Sequence, residues 1–194
     1  MPKIVPIVEG VGEVEAVPKL LWKLLIELGR YDIEIAGPKN AKGCSNLTKK
    51  DGLEKFVNIA WSEPDCGAVL ILMDADIHCP RTIADDFARR IQAMGIRFTV
   101  VIVLAKCEYE GWFLPGLNFP GDPEAKEGAK EWVRQHVLGG TYKPSQDQVT
   151  LTQALDINLV RERSRSFRRL CHAVEEALTA IDNGQVVVTP MPTG

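Results

Sequence analysis

The chain has 194 residues, enough for one domain that buries its own core without disulfide or metal staples. Its composition, 45% hydrophobic and 25% charged, excludes wholesale disorder, collagen and coiled coil. A net charge of −3 excludes a protein that is basic all over, but leaves room for a local basic patch. The longest apolar runs, 68–73 and 100–105, are far shorter than the roughly 20 residues of a membrane span, so no membrane contact is expected. Residues 1–5 carry no apolar leader or small-residue cleavage site, and the expectation is a cytoplasmic protein. The cysteines, Cys44, Cys66, Cys79, Cys107 and Cys171, are odd in number and lack CxxC spacing, which predicts reduced and mostly buried thiols.

In chain order, 3–8 reads as a strand. Its Pro6 lacks a ladder donor, which places the strand at an edge or leaves that position unpaired. Residues 13–28 read as a helix: Val14, Val17, Leu20, Leu21, Leu24, Leu25 and Leu28 fall at helical spacing, and Gly29 ends it. Pro18 shifts the expected first turn toward 16–17. Residues 31–36 alternate as a strand, 37–46 is loop, and 51–61 is a short helix. The unbroken apolar run 67–73 predicts a strand buried on both faces. A helix over 80–94, with Pro80 at its start, leads to a second buried strand over 97–104.

After Ala105 the pattern changes. Helices are expected over 107–114, 124–138 and 152–155, separated by loops at 115–123 and 141–150. Residues 164–181 form an amphipathic helix with Phe167, Leu170, Cys171, Val174, Leu178 and Ile181 on its apolar face, and 184–194 reads as a flexible tail. The βαβαβαβ order predicts an α/β three-layer sandwich with a central, mostly parallel sheet over 1–115, and a helical extension over 116–183 packed on it.

Asp74-Ala75-Asp76 directly follows the buried run. Ligands of parallel sheets bind outside the carboxyl ends of the strands, and residues two apart in a strand point the same way. If the strand continues, both carboxylates face one point, where they repel unless a hard cation such as Mg²⁺ or Mn²⁺ lies between them. Glu9-Gly10-Val11-Gly12-Glu13 ends the first strand, with Glu13 in the first turn of the next helix. The string lacks the third glycine of a dinucleotide loop, and no GK[ST] occurs, so a P-loop is excluded. His78 and Cys79 beside Asp76 suggest zinc, but no second pair has ligand spacing. Trp22, Trp61, Trp112 and Trp132 read as packing residues, with Trp112 nearest the candidate site.

Glu-Gly after a first strand with DxD after a later one resembles the Toprim domain of topoisomerases, primases and OLD-type nucleases. EGVGEVEAVPKLL is most similar to the OLD-type string. LAKCEYEGWFL, Tyr142-Lys143-Pro144 and SRSFRRL extend the resemblance to a small bacterial Toprim-related family of unknown function, DUF4276, over roughly residues 3–178. The resemblance implies a Toprim-like fold. It implies Glu9 as general acid/base or metal ligand, Asp74 and Asp76 as metal ligands, and Glu13 as ligand of a second metal. Glu108 and Glu110, after the fourth strand, are candidate auxiliary ligands, and Lys106 a candidate phosphate or transition-state contact. The late lysine of larger OLD nucleases has no clear counterpart. Arg161, Arg163, Arg165 and Arg168 fall in RERSRSFRR and are suited either to phosphate contact or to a solvated helix face.

The leading expectation is Mg²⁺- or Mn²⁺-dependent phosphodiester hydrolysis of nucleic acid, DNA ahead of RNA, in a setting such as phage defence. A second is a non-catalytic or conditional subunit working with an ATPase supplied in trans, since the chain has no ATPase motif. A third is a nucleotide-binding α/β domain. The 164–181 helix could also serve a homodimer.

Overall fold

The computed structural model describes residues 1–191. Its strands are β1 (Lys3–Val8), β2 (Glu34–Ile35), β3 (Lys39–Asn40), β4 (Cys66–Asp74), β5 (Thr99–Ala105) and β6 (Val188–Thr189). Its α-helices are α1 (Val11–Glu27), α2 (Ser45–Thr48), α3 (Gly52–Trp61), α4 (Pro80–Ala93), α5 (Ala129–His136), α6 (Val149–Ala154), α7 (Ile157–Arg163) and α8 (Arg165–Asn183). The strands form one sheet in the order β2-β1-β4-β5-β6, with β3 also on β1, and every pairing among the described residues is parallel.

Strand alternation divides the core into two layers. Val8, Leu72 and Val103 face α1 and α8, where Leu20, Leu24, Leu170 and Val174 meet them. Ile7, Ile71 and Ile102 face α3 and α4, where Val57, Phe87 and Ile91 meet them. Burial on both faces is why β4 and β5 read as unbroken apolar runs. The result is an α/β sandwich of helix, sheet and helix. Among the described residues, no helix is long and apolar enough to cross a membrane.

β1 lies inside the sheet despite Pro6. The carbonyls of Ile4 and Val8 accept from Ala36 and Ala41 on one side. By alternation the nitrogen of Pro6 faces that same side, in the gap where β2 has ended and β3 has not begun. The position is thus left unpaired rather than the strand being moved to an edge. Helix α1 starts at Val11 and runs through Pro18, earlier than expected from the proline. One missing intrahelical bond is outweighed by burial of Val17, Leu20, Leu21, Leu24 and Leu25.

The extension departs most from expectation. Residues 107–114 form no α-helix; two 3-10 turns, Tyr109–Trp112 and Leu114–Leu117, stand there. The long helix expected over 124–138 is reduced to α5, because Gly128 takes a left-handed φ of 66° just before it. Helix α7 was not expected, although Asp156 caps it by accepting from the N–H groups of Asn158 and Leu159. Lys23 ties the extension to α1: its ammonium donates to the carbonyls of Gln153 and Leu155 at 2.8 and 2.6 Å, at the C-terminal end of α6.

Residues 184–191 are not a tail. Gly184, with φ of 60°, ends α8, and the chain turns back to pair β6 with β5. The Val100 N–H donates to the Val187 carbonyl at 2.8 Å, and the Thr99 hydroxyl donates to the Gln185 carbonyl at 3.1 Å. Residues 192–194 of the expected tail lie outside the described residues. Deleting residues 185–194 is expected to lower Tm by several degrees, at about 2–4 °C per kcal/mol for a chain of this size. An unchanged Tm in a calorimetric scan would show that β6 adds nothing to stability.

Candidate acidic site

Register brings the acidic residues to one edge. Val8 pairs with Leu72, so Glu9 emerges beside the end of β4, and Asp74 pairs with Ala105 at the end of β5. The Asp74 N–H donates to Glu9 Oε2 at 3.4 Å. The Asp74 carboxylate turns toward the segment that follows β5, where Oδ1 accepts the Tyr109 N–H at 2.8 Å. β4 ends at Asp74, and Asp76 is exposed with a left-handed φ of 47°. The alternation expected to aim Asp74 and Asp76 at one point therefore stops short of Asp76.

Glu13 lies in the first turn of α1. Its Oε2 accepts the Gly10 N–H at 2.8 Å, half of a capping box. Its Oε1 accepts from the Gln148 amide at 3.0 Å. The glycines of this string are fixed by close approach: a Cβ on Gly10 would stand 2.8 Å from Glu13 Oε2, and one on Gly12 only 1.8 Å from Gln148 Oε1. That Gln148 oxygen is buried against Gly12 with no hydrogen-bond partner among the described residues. Glu110 is 4% exposed, and its Oε1 accepts the Tyr142 hydroxyl at 2.8 Å.

Two expected site residues sit differently. Glu108 accepts the Lys130 N–H at 2.9 Å in the first turn of α5 and so caps that helix, apart from the acidic group. Lys106 Nζ donates to the Asp76 carbonyl oxygen at 3.2 Å rather than to a carboxylate.

Burial raises the Asp74 carboxyl well above the usual range, and Glu110, Glu13 and Glu9 push it further, against the Tyr109 N–H. Burial likewise raises Glu9, with Asp76 and Glu13 adding to it against the Asp74 and Cys44 amides. Glu110 is raised by burial and by Glu13; the Tyr142 hydroxyl and Lys130 oppose. Glu9, Glu13, Asp74, Asp76 and Glu110 are thus one interacting set of like charges.

Hard oxygen donors with excess negative charge suit Mg²⁺ or Mn²⁺ chemically. Their placement does not complete a site: among the described residues, no group of three His, Cys, Asp or Glu side chains converges to hold a metal. The carboxylates of Asp74, Glu13 and Glu110 are instead occupied by protein donors. Gln148 and Tyr142 supply two of these from the extension. Gln148 left no signal in the sequence, and Tyr142 stood out only through the family resemblance.

The arginines do not form one patch. Arg161 pairs with Glu27 at 2.8 Å, Arg163 donates to the carbonyls of Phe119 and Gly121, and Arg168 to those of Arg161 and Glu162. The Arg165 side chain has no hydrogen bond or ion pair among the described residues. Trp112 is fully buried and donates to Ser166 Oγ at 2.9 Å, so it packs and does not face the site. Of the five free cysteines Cys107 and Cys171 are buried, Cys44 and Cys66 half-buried and Cys79 exposed, so fewer are buried than the mostly buried set expected.

Two predictions follow from this electrostatics. A carboxyl raised by folding favours its protonated form in the native state, so its contribution is present at low pH and is lost as pH rises through the folded value. Asp74→Asn mimics the protonated form. Its Tm is expected to exceed that of the wild type by an amount that grows from pH 5 to pH 8, reaching about 2–4 °C for each kcal/mol of repulsion relieved. A lower Tm at every pH would mark the ionised Asp74 as a stabilising group. Tyr142→Phe leaves the Glu110 carboxylate buried without that donor and is expected to cost about 1–3 kcal/mol. The same change in a Glu110→Gln background is expected to cost less, as chemical denaturation of the two pairs would show.

Comparison with family models, with curated proteins and with solved structures finds no match to this chain.

Proposed function

We propose that this chain is a Toprim-like domain of the DUF4276 type, whose acidic edge acts on the phosphodiester backbone of nucleic acid, DNA ahead of RNA. The observation that carries the reading is the gathering of Glu9, Glu13, Asp74 and Glu110 from three separate strand ends, with Asp74, Glu9 and Glu110 all raised by burial and mutual repulsion. A set of like charges at the carboxyl edge of a parallel sheet is a common place for function and a poor one for stability alone. Glu9 is suited to general acid/base work, because its raised pKa lets the carboxyl hold a proton closer to neutral pH. Lys106, beside Asp76, is suited to contact a phosphate oxygen. Mg²⁺ or Mn²⁺, when bound, would neutralise the cluster and polarise the phosphate.

One observation favours a conditional form of this reading. The carboxylates do not converge in the isolated chain, and Tyr109, Gln148, Gly10 and Tyr142 hold three of them. A subunit that becomes competent only with nucleic acid or with an ATPase supplied in trans fits that arrangement. Mn²⁺ titration by calorimetry on wild type and Asp74→Asn separates the two. Micromolar uptake lost in the variant, with Mn²⁺-dependent cleavage of DNA by the wild type alone, is the expected outcome for the autonomous enzyme. No uptake by the wild-type chain alone, regained when DNA or an ATPase partner is added, is the outcome for the conditional subunit. No uptake in either setting would overturn both.

A further inference from the structure

Residues 139–148 link α5 to α6 and lie against the acidic residues. The segment is polar. Of residues 141–148 only Gln148 is buried, with Tyr142, Pro144 and Asp147 half-buried. The N–H groups of Gln146 and Asp147 turn inward to the Lys143 carbonyl. Among the described residues, two side-chain hydrogen bonds join 141–148 to the earlier part of the chain, and both end on acidic residues. Tyr142 donates to Glu110 at 2.8 Å, and Gln148 to Glu13 at 3.0 Å. The Tyr142 ring adds a contact with the Lys130 ammonium, 5.3 Å from its centre.

A segment with so little buried apolar surface belongs to the part of a fold that opens locally. Two further features favour opening here. Gln148 Oε1 lies buried without a hydrogen-bond partner among the described residues, an acceptor that water would satisfy once the segment lifts. Gly139 and Gly140, exposed and consecutive with φ of 63° and 100°, begin the segment, and glycines there can absorb the change in φ and ψ that lifting requires. Gly140 stays tied to α5 by its N–H on the Arg134 carbonyl at 2.8 Å, which fixes the pivot. The other end is fixed by Lys23 at the end of α6.

We propose that residues 141–148 are an autoinhibitory strap. Seated, the strap holds Glu13 and Glu110 in hydrogen bonds; lifted about Gly140, it frees both carboxylates for a divalent cation. The mismatch between the hard-oxygen chemistry of the acidic residues and their placement is then a property of the closed form. The inference rests on the metal-dependent reading for its ligand, but not for the motion, which the chain makes without metal. Gly12 is the seat of the strap. A Cβ there would stand 1.8 Å from Gln148 Oε1, 2.9 Å from Gln148 Cδ and 3.1 Å from Pro144 Cβ, so all three nearest atoms belong to the strap. Whether Gln148 turns away or the strap shifts, Gly12→Ala breaks the bond to Glu13. Alanine is favoured over glycine in a helix, so α1 is expected to form in the variant.

The test is brief chymotrypsin digestion of wild type, Gly12→Ala and Gly116→Ala, first in metal-free buffer and then with Mn²⁺, with fragments identified by mass. Chymotrypsin cuts after aromatic residues; the cut after Tyr142 requires a lifted strap, and the cut after exposed Tyr31 is the reference. A Cβ on Gly116 would meet nothing within 4 Å, so that variant carries the same substitution to a neutral place. Relative to the Tyr31 cut, the Tyr142 cut is expected to be about tenfold faster in Gly12→Ala and to change less than about twofold in Gly116→Ala. Mn²⁺ that traps the lifted form must speed the Tyr142 cut in wild type, and the calorimetric Mn²⁺ affinity must rise in Gly12→Ala by about the same factor as the cut. Equal Tyr142 cutting in wild type and Gly12→Ala, or a rise only in step with the Tyr31 cut, would overturn the strap and leave any Mn²⁺ uptake standing. Mn²⁺ uptake that does not speed the Tyr142 cut, or is no tighter in Gly12→Ala, would overturn the inhibition. Faster cutting in Gly12→Ala without Mn²⁺ uptake by either protein would remove the metal-dependent reading, and the inhibition with it, while the lifting segment stands.

Discussion

Like charges held together at one edge of the sheet are the constraint around which the rest of the chain is arranged. Parallel pairing of β1, β4 and β5 puts all three carboxyl ends on that edge, and the residues at or just after them include Glu9, Asp74 and Glu110. Burial deepens the repulsion, since the protein screens charge less than water does. Such an arrangement persists only where something offsets it, either hydrogen-bond donors within the fold or a cation from outside it.

The chain after β5 is placed to offer such donors. The turn beginning at Tyr109 presents a backbone N–H to Asp74, while the segment Pro144–Gln148 brings Gln148 to Glu13 and Tyr142 reaches Glu110 just before it. Anchoring of this segment is distributed. Lys23 holds the end of α6, the Tyr109 hydroxyl meets Thr152 at 3.0 Å, and Trp112 reaches Ser166 on α8. A set of buried aromatic rings, Tyr109, Trp112, Phe113 and Phe167, lies between them. The part of the chain that looks accessory in sequence is thus in contact with the acidic residues, and a ligand that draws Glu13 or Glu110 toward itself must compete with Gln148 or Tyr142.

The sheet was legible because its signals are local. Two apolar runs without alternation identified β4 and β5, and heptad-like leucines identified α1. The acidic strand ends were legible for the same reason, since Glu9 directly follows β1 and Asp74 the apolar run of β4. The rest depends on contacts between distant residues. β6 is two residues long and takes its conformation from Thr99 and Val100, some 90 positions earlier. Asp76 belongs to a sound motif, yet the Cys107 carbonyl holds its N–H at 2.8 Å and the strand ends before it. Five arginines in nine residues suggest a patch, but helix α7 and the turn into α8 direct Arg161, Arg163 and Arg168 to partners within the protein.

Lys106 joins two faces of the molecule. It follows β5 directly, so the same strand whose end meets Asp74 also has, among the described residues, no pairing partner on its outer edge beyond Val101. One face of that junction is strongly negative, and on the other Lys106 and Arg165 stand among Asp122 and Glu124, so that both signs are present. A polyanion alone would be repelled by the first. Under the proposed phosphodiester reading, a divalent cation would have to offset Asp74, Glu9 and Glu110 before a strand could approach that edge. On that reading, strand and metal would bind with positive coupling: each would lower the electrostatic cost of the other, and the carboxylates that stay apart in the free chain would gain a reason to converge only with both present.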